Sequence, residues 1–448
     1  FRHARTLILL IKFNYNLEKL PLVRYILVTD CSVTFFYKED VVAQKPSTKQ
    51  LILDAAFSFY EQPCFKDFSM SQLAAKVGIS KTAIYRHFKN KDAVVENMQE
   101  QFFDILYAQL STIQNKNLDS KAFNEQIIKI ISFFAENSQY INYFIILHTQ
   151  INDFEKKVCD ELRSKGLEDD FDKFYQKNKP ARYSRIYFCA VTILYFIKLR
   201  EKAIICGKKT DSISDFSKKI VNFIQKGIIG TIGESSQTSK ISKERFAQLD
   251  GICKINEEDL PEEDKIFTAF STVITKYGIN NVTVEHIADE LDMAKSSLYF
   301  YFENKNKMLL HLVAKELSLL GTICEENCAE AKTYTEFIYI NMKTEISYFS
   351  ARPSILSLCG WLLQNGAEHT VDDEKEFLGP NNVWETRMSE IAQKVDLGFS
   401  VRPEHITIWS GLLPVSLTIL KIKHKFSDEE TNQALDYMFD FLMYGAKF

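Results

Sequence analysis

The sequence predicts an all-α protein: two tandem helix-turn-helix heads, each followed by a larger helical body. Three observations carry this expectation. Only 15 glycines and 9 prolines in 448 residues leave little material for the tight turns of a β-rich or loop-rich chain. A 23-residue pattern with the periods of helix, turn and helix occurs twice. Long stretches with apolar residues at helical spacing follow each copy.

Composition narrows the classes. A chain that is 46% hydrophobic and 25% charged is globular rather than disordered. Its 55 Lys+Arg against 59 Asp+Glu leave a net charge of −4, so any polyanion site must be a local basic patch. Nine scattered cysteines, an odd number without paired spacing, fit free thiols in a reducing cytoplasm. Cys324 and Cys328 stand one helical turn apart, but a metal needs further ligands; buried thiols are expected there, with no metal and no cofactor. No apolar run reaches the ~18 residues of a membrane span. The longest, Ile186 to Ile197, suits a buried or interface helix. No catalytic signature stands out: the sequence has no P-loop, no G-x-S-x-G and no G-x-G-x-x-G. His148 and Asp153 lie close in sequence without a nucleophile beside them, so no enzyme is expected.

The elements follow in order. Residues 1–44 carry no clean period. The chain opens on Phe1, and its first methionine, Met70, lies inside the first motif. These residues read as an N-terminal extension, with true translation starting near Val41 or Val42; peptides spanning Phe1 to Asp40 in the natively expressed protein would refute that. Ser69 to Lys91 (SMSQLAAKVGISKTAIYRHFKNK) then aligns without a gap with Thr283 to Lys305 (TVEHIADELDMAKSSLYFYFENK), at an offset of 214 residues. Ala74/Ala288, Lys81/Lys295, Tyr85/Tyr299, Phe88/Phe302, Asn90/Asn304 and Lys91/Lys305 are identical. Ile52/Ile266 and Ala55/Ala269 extend the register backwards onto a preceding amphipathic helix. Ser69 and Thr283 are expected N-caps. Gly78 is expected to end its helix in the left-handed conformation, and Asp292 takes that place at greater cost. Ser80 is expected to cap the next helix, for which Ala294 is a poor substitute. Ile84 and Phe88 belong to the core.

This pattern resembles the TetR family of bacterial transcription regulators, over roughly Thr48 to Met98 and Asp264 to Leu312. Two copies in register, each preceded by a first helix and followed by a long helical region, make the match specific. The resemblance implies a double-stranded DNA operator read through the major groove, with the start of the recognition helix on base edges. It assigns DNA contact to Ser69, Lys81, Thr82, Ala83, Tyr85, Arg86, His87 and Lys91 in the first copy. In the second it assigns Lys295, Ser296, Ser297, Tyr299, Tyr301 and Lys305. The charges differ between copies. Lys66 to Asp92 holds six basic residues against two acidic, and Asn280 to Asn306 holds two against five. Because phosphate affinity comes from neutralised charge, the first motif is expected to supply most of it.

The resemblance also implies the rest of the plan: residues 1–44 extension, 45–98 first head, 99–233 first effector and dimerisation body, 234–259 linker, 260–312 second head, 313–448 second body. The last two helices of each half correspond to the family's dimerisation pair. Tyr187, Val191, Leu194 and Ile197 share one face, as do Ile408, Leu412, Val415 and Ile419. Fused halves imply an intramolecular pseudo-dimer, with a homodimer of the fused chain as the alternative. Its two recognition helices would sit about one DNA turn apart, ~34 Å. A small hydrophobic effector, held near Tyr140, Tyr143, Phe144, Phe337 or Trp361, would release a repressor acting in the cytoplasm at the nucleoid. The rival expectation is a protein–protein adaptor of the same fold, its second head having partly lost DNA binding.

Overall fold

The computed structural model describes residues 46–446 apart from 62–67, 114–119, 151–153, 168–177, 236–237, 278–281, 302–304, 357–388 and 390; among the described residues every regular element is helical. The expectations for residues 1–44, and those for Trp361, lie outside them.

The first head is built by side-chain caps. Helix α1 (Thr48–Ser58) starts at Ser47, whose hydroxyl accepts the Gln50 N–H. Helix α2 (Met70–Val77) opens with a reciprocal capping box: Ser69 Oγ accepts the Gln72 N–H at 3.2 Å, and Gln72 Oε1 accepts the Ser69 N–H at 2.8 Å. It stops at Gly78, which has φ +78° and ψ +28°. Helix α3 (Lys81–Tyr85) is capped by Ser80 through the Ala83 N–H at 3.1 Å. Helix α4 (Lys91–Leu110) is capped by Asn90. Leu73, Ala74, Ile84, Phe88, Val94 and Met98 are all buried beneath them, each large side chain contributing roughly 1.5–3 kcal/mol.

Then come α5 (Ser120–Glu136), α6 (Ser138–Gln150), α7 (Phe154–Ser164), α8 (Lys179–Ile205) and α9 (Ile213–Ile232). The second half supplies α10 (Lys243–Ile252), α11 (Lys265–Tyr277), α12 (Val284–Glu290), α13 (Lys295–Tyr301), α14 (Lys305–Cys328), α15 (Tyr334–Ala351), α16 (Pro403–His424) and α17 (Asp428–Tyr444). The chain divides into two compact units. The smaller holds the first head, α4, α6 and α7. Its centre is aromatic: Phe57, Tyr60 and Phe102 surround Tyr143 edge-on, with centroids 5.2, 5.0 and 5.5 Å away. The larger unit holds α5, α8, α9 and the whole second half.

Within the larger unit α8 and α9 pack against α16 and α17. Trp409 is fully buried at the centre, its ring 5.6 Å from Phe196 and 5.2 Å from Phe223, and its Nε1 donates to Thr192 Oγ1 at 3.0 Å. Ser184 Oγ donates to the Ala434 carbonyl at 2.9 Å. The buried stripe of α8 is Ser184, Phe188, Thr192, Tyr195, Phe196 and Leu199. Of the expected face only Ile197 is buried; Tyr187, Val191 and Leu194 are half-buried. On α16 Ile406, Trp409, Leu413 and Leu417 are buried; of the expected face Leu412 and Val415 are half-buried, and the side chains of Ile408 and Ile419 lie outside the described residues. Apolar residues surround the middle of both helices, so hydrophobic period alone does not select a face there.

The segment expected as a linker, 234–259, contains α10. Ser242 caps it through the Arg245 N–H at 3.2 Å. Phe246 meets Tyr339 edge-on at 4.7 Å, and Leu249 and Cys253 are fully buried. Arg245 forks onto Glu336 at 3.1 and 2.9 Å, and Asp250 accepts from Tyr339 and pairs with Lys343. The apolar residues are scattered through a polar stretch, but 246, 249 and 253 fall on one helical face.

Candidate nucleic-acid interface

In the first head the short turn Gly78–Ser80 sets α3 across α2, and the buried Ile84 and Phe88 hold α3 from beneath. This leaves its other side outward. Lys81, Thr82, Arg86 and His87 are exposed, Tyr85 is 45% exposed, and Ala83 and Lys91 are half-buried. Ser69 is exposed at the start of α2 and already engaged as its cap. Lys81 Nζ lies 6.0 Å from the Tyr85 ring centroid, and Lys91 Nζ lies 5.5 Å from that of Phe68. Lysines over aromatic faces keep their charge while losing some side-chain freedom. No carboxylate of the described residues pairs with Lys81 or Arg86. The arrangement is a narrow cationic helix end with one aromatic hydroxyl beside it, which suits phosphate and base-edge contact.

The second head repeats the frame. Thr283 Oγ1 accepts the His286 N–H at 3.2 Å. Val284, Ile287 and Ala288 are buried where Met70, Leu73 and Ala74 are buried in the first copy, and Leu298 is buried in the place of Ile84. Asp292, in register with Gly78, has φ +51°. Lys295 and Ser296 are exposed and Ser297 is half-buried. Tyr299 and Tyr301 lie on α13 and Lys305 opens α14, but their side chains lie outside the described residues. The electrostatics differ: Lys295 Nζ is ion-paired with the carboxylate of Glu285. Sequence reasoning does not single out Glu285. A signal for it exists: a glutamate stands where the first copy has Ser71, ten residues before the lysine that both copies share.

The residues expected near an effector belong to packed aromatic clusters. Tyr143 is buried, with Tyr140 and Phe144 half-buried beside it; Tyr140 meets Phe57 at 5.1 Å and Phe144 meets Phe154 at 5.2 Å. Among the described residues the buried Tyr143 hydroxyl has no hydrogen-bond partner, and burial pushes its pKa well up. Phe337 is buried in the larger unit, its carbonyl 3.8 Å from the Cys328 thiol. Cys253, Cys324 and Cys328 are buried thiols; burial pushes Cys253 up to about 11. Among the described residues no group of three or more Cys, His, Asp or Glu is arranged to hold a metal ion, and no helix is long and apolar enough to cross a membrane.

Two capped helix-turn-helix heads on long helices define the class: a chain with paired helix-turn-helix domains. The family described as "Bacterial regulatory proteins, tetR family" matches at residues 52–98 and again at 266–312. Two TetR-like units thus stand in tandem in this chain. The chain is similar to the nucleoid occlusion factor SlmA of Alteromonas mediterranea, 30% identical over 95 residues, which are 21% of this chain and 49% of that protein. An uncharacterized HTH-type transcriptional regulator of Haemophilus influenzae is 31% identical over 100 residues, 22% of this chain and 52% of its own length. IcaR, the negative transcriptional regulator of the biofilm operon icaADBC in Staphylococcus aureus, is 24% identical over 134 residues, 29% of this chain and 71% of its own. The chain thus spans about half the length of the first two relatives.

Proposed function

We propose that this chain is a DNA-binding transcriptional regulator of the repressor type, acting on double-stranded operator DNA in the cytoplasm. The observation that carries the reading is the first recognition helix, whose Lys81 and Arg86 are exposed and have no carboxylate partner among the described residues. Lys81, Thr82 and Ala83 meet base edges, and Tyr85, His87 and Lys91, with the start of α2 at Ser69, meet phosphates. Lys295, Ser296, Ser297, Tyr299, Tyr301 and Lys305 take the corresponding roles with lower affinity. The packing of α8 and α9 on α16 and α17 supports an intramolecular pseudo-dimer reading an asymmetric or pseudo-palindromic site. A small hydrophobic effector releases the DNA.

The test is a gel shift with duplex from the upstream region of its own gene, titrated with salt. Lys81→Ala is expected to cost more operator binding than Lys295→Ala; equal losses contradict the division of labour. A solution mass of one chain supports the pseudo-dimer, and a mass of two favours a homodimer with four motifs. The second reading, a protein–protein adaptor of this fold, draws on the acidic second head and its paired Lys295. Absence of DNA binding at low salt would favour it.

A further inference from the structure

We infer that Glu285 is a specificity-determining residue that withholds Lys295 from DNA and makes the second head the weaker reader; the inference rests on the DNA-binding function proposed above. Glu285 is the second residue of α12, and Lys295 is the first of α13. The intervening turn, with Asp292 at φ +51°, brings the two helix starts together. The pair closes across that turn, and both side chains remain about half-exposed. Lys295 hydrogen-bonds the Glu285 carboxyl and, with the residue's own backbone N–H, holds it below the usual carboxylate range. Glu285 is therefore ionised at any pH at which the protein meets DNA. At the matching places the first head has Ser71 and Lys81; Ser71 is neutral and exposed, and among the described residues Lys81 has no acid partner.

The strength of the pair is not what matters, since exposed ion pairs contribute little. What matters is the carboxylate, which stays at the start of the recognition helix whether the pair is closed or open. While closed, the pair presents no net charge, so a phosphate that meets Lys295 releases no counterion on its account. While open, it presents a phosphate with a like charge. Asp289, Glu290 and Asp292, all exposed, extend the acidic character along the rest of α12 and its turn. Glu285 thus sets apart the electrostatics of the lysine that both recognition helices share.

The experiment measures affinity for the upstream duplex, with the full chain, at several salt concentrations. E285S installs the first head's residue at an exposed helix start, and E285Q removes the charge with least change of shape. Each is expected to tighten binding and to steepen the salt dependence by about one released counterion, a slope change of ~0.9. The gain would then be about threefold larger at 50 mM than at 200 mM salt. It should vanish in the double variant E285S/K295A. The reciprocal change, S71E, should weaken binding and flatten the slope by a similar amount. Unchanged slopes in both Glu285 variants, or a gain that survives in the double variant, would overturn the inference while leaving the operator function intact. A wild-type chain that binds no duplex at 50 mM salt would overturn the operator function itself, and the inference with it.

Discussion

Gly78 and Asp292 answer the same backbone demand with different residues. At both, the chain must pass through positive φ to leave one helix and start the next, +78° in the first head and +51° in the second. For Gly78 the demand is purely conformational, because a Cβ there would meet no atom within 4 Å. Gly78→Ala is therefore expected to destabilise the first head by about 1 kcal/mol, with a matching drop in melting temperature and no packing defect. Asp292→Gly should move the second head the other way by a few tenths to ~1 kcal/mol. Both positions are legible in the amino-acid sequence, because they recur at a fixed offset. The caps at Ser69, Ser80 and Thr283 are legible too, since their chemistry is local: an oxygen within three residues of a free N–H.

At the scale of elements, helix identity is legible in the sequence and the stripe each helix buries is not. The ends of α8, α9, α16 and α17 follow from Asn, Ser, Pro and Gly placed near their termini. Which stripe each helix buries depends on residues far away in sequence, such as Trp409 against Thr192. Helix α10 is hidden for the same reason: Leu249 and Cys253 are buried only because α15 lies beside them. A buried ion pair is a further non-local feature. Arg352 Nη1 reaches both carboxylate oxygens of Glu316 at 2.8 Å, Tyr348 donates to the same carboxylate at 2.6 Å, and Arg352 also reaches the Pro261 carbonyl. This ties α14 and the end of α15 to the segment that leads into the second head. Arg352→Ala leaves Glu316 buried and unpaired, and should cost roughly 3–5 kcal/mol in a urea midpoint measurement. Tyr348→Phe, which keeps the ion pair, should cost much less.

His405 adds a pH dependence at the start of α16. Its Nδ1 accepts the Arg402 N–H at 3.1 Å, so the ring works as a neutral cap. Burial first, then the charges of Arg402, Lys202 and Lys208, push its pKa down to about 3. The unfolded chain binds a proton near the ordinary histidine value while the folded one does not. The contribution is therefore complete above about pH 6.5 and drains as the pH falls toward 3, by up to ~1.4 kcal/mol per unit. His405→Gln keeps an acceptor and does not titrate. Subtracting its stability profile from that of the wild type isolates the histidine, and a flat difference between pH 6 and 4 would contradict the assignment.

At the scale of the whole chain, one of the joins between the two repeats is a backbone crossing. Gly227 interrupts α9 at φ +63°, and a Cβ there would lie 2.5 Å from the Gly445 nitrogen. Just beyond α17, Gly445 has φ +87°, and a Cβ on it would run into the Gln225 carbonyl. Between them the Ala446 N–H donates to the Ile224 carbonyl at 2.8 Å. The end of the second half is thus bonded to the last helix of the first, at a spacing only two glycines permit. Neither obstacle to a side chain is a flexible neighbour; both are main chain. Gly445→Ala must therefore either strain its own backbone or part the two helices, and a loss of ~3 kcal/mol or more is expected, comparable to a badly overpacked core site. The loss should appear in the larger unit as a whole, because α8, α9, α16 and α17 share one core around Trp409. Its fluorescence should then report melting at a lower temperature in Gly445→Ala and in Gly227→Ala alike. If one variant melts like the wild type, the two glycines do not constrain the same crossing.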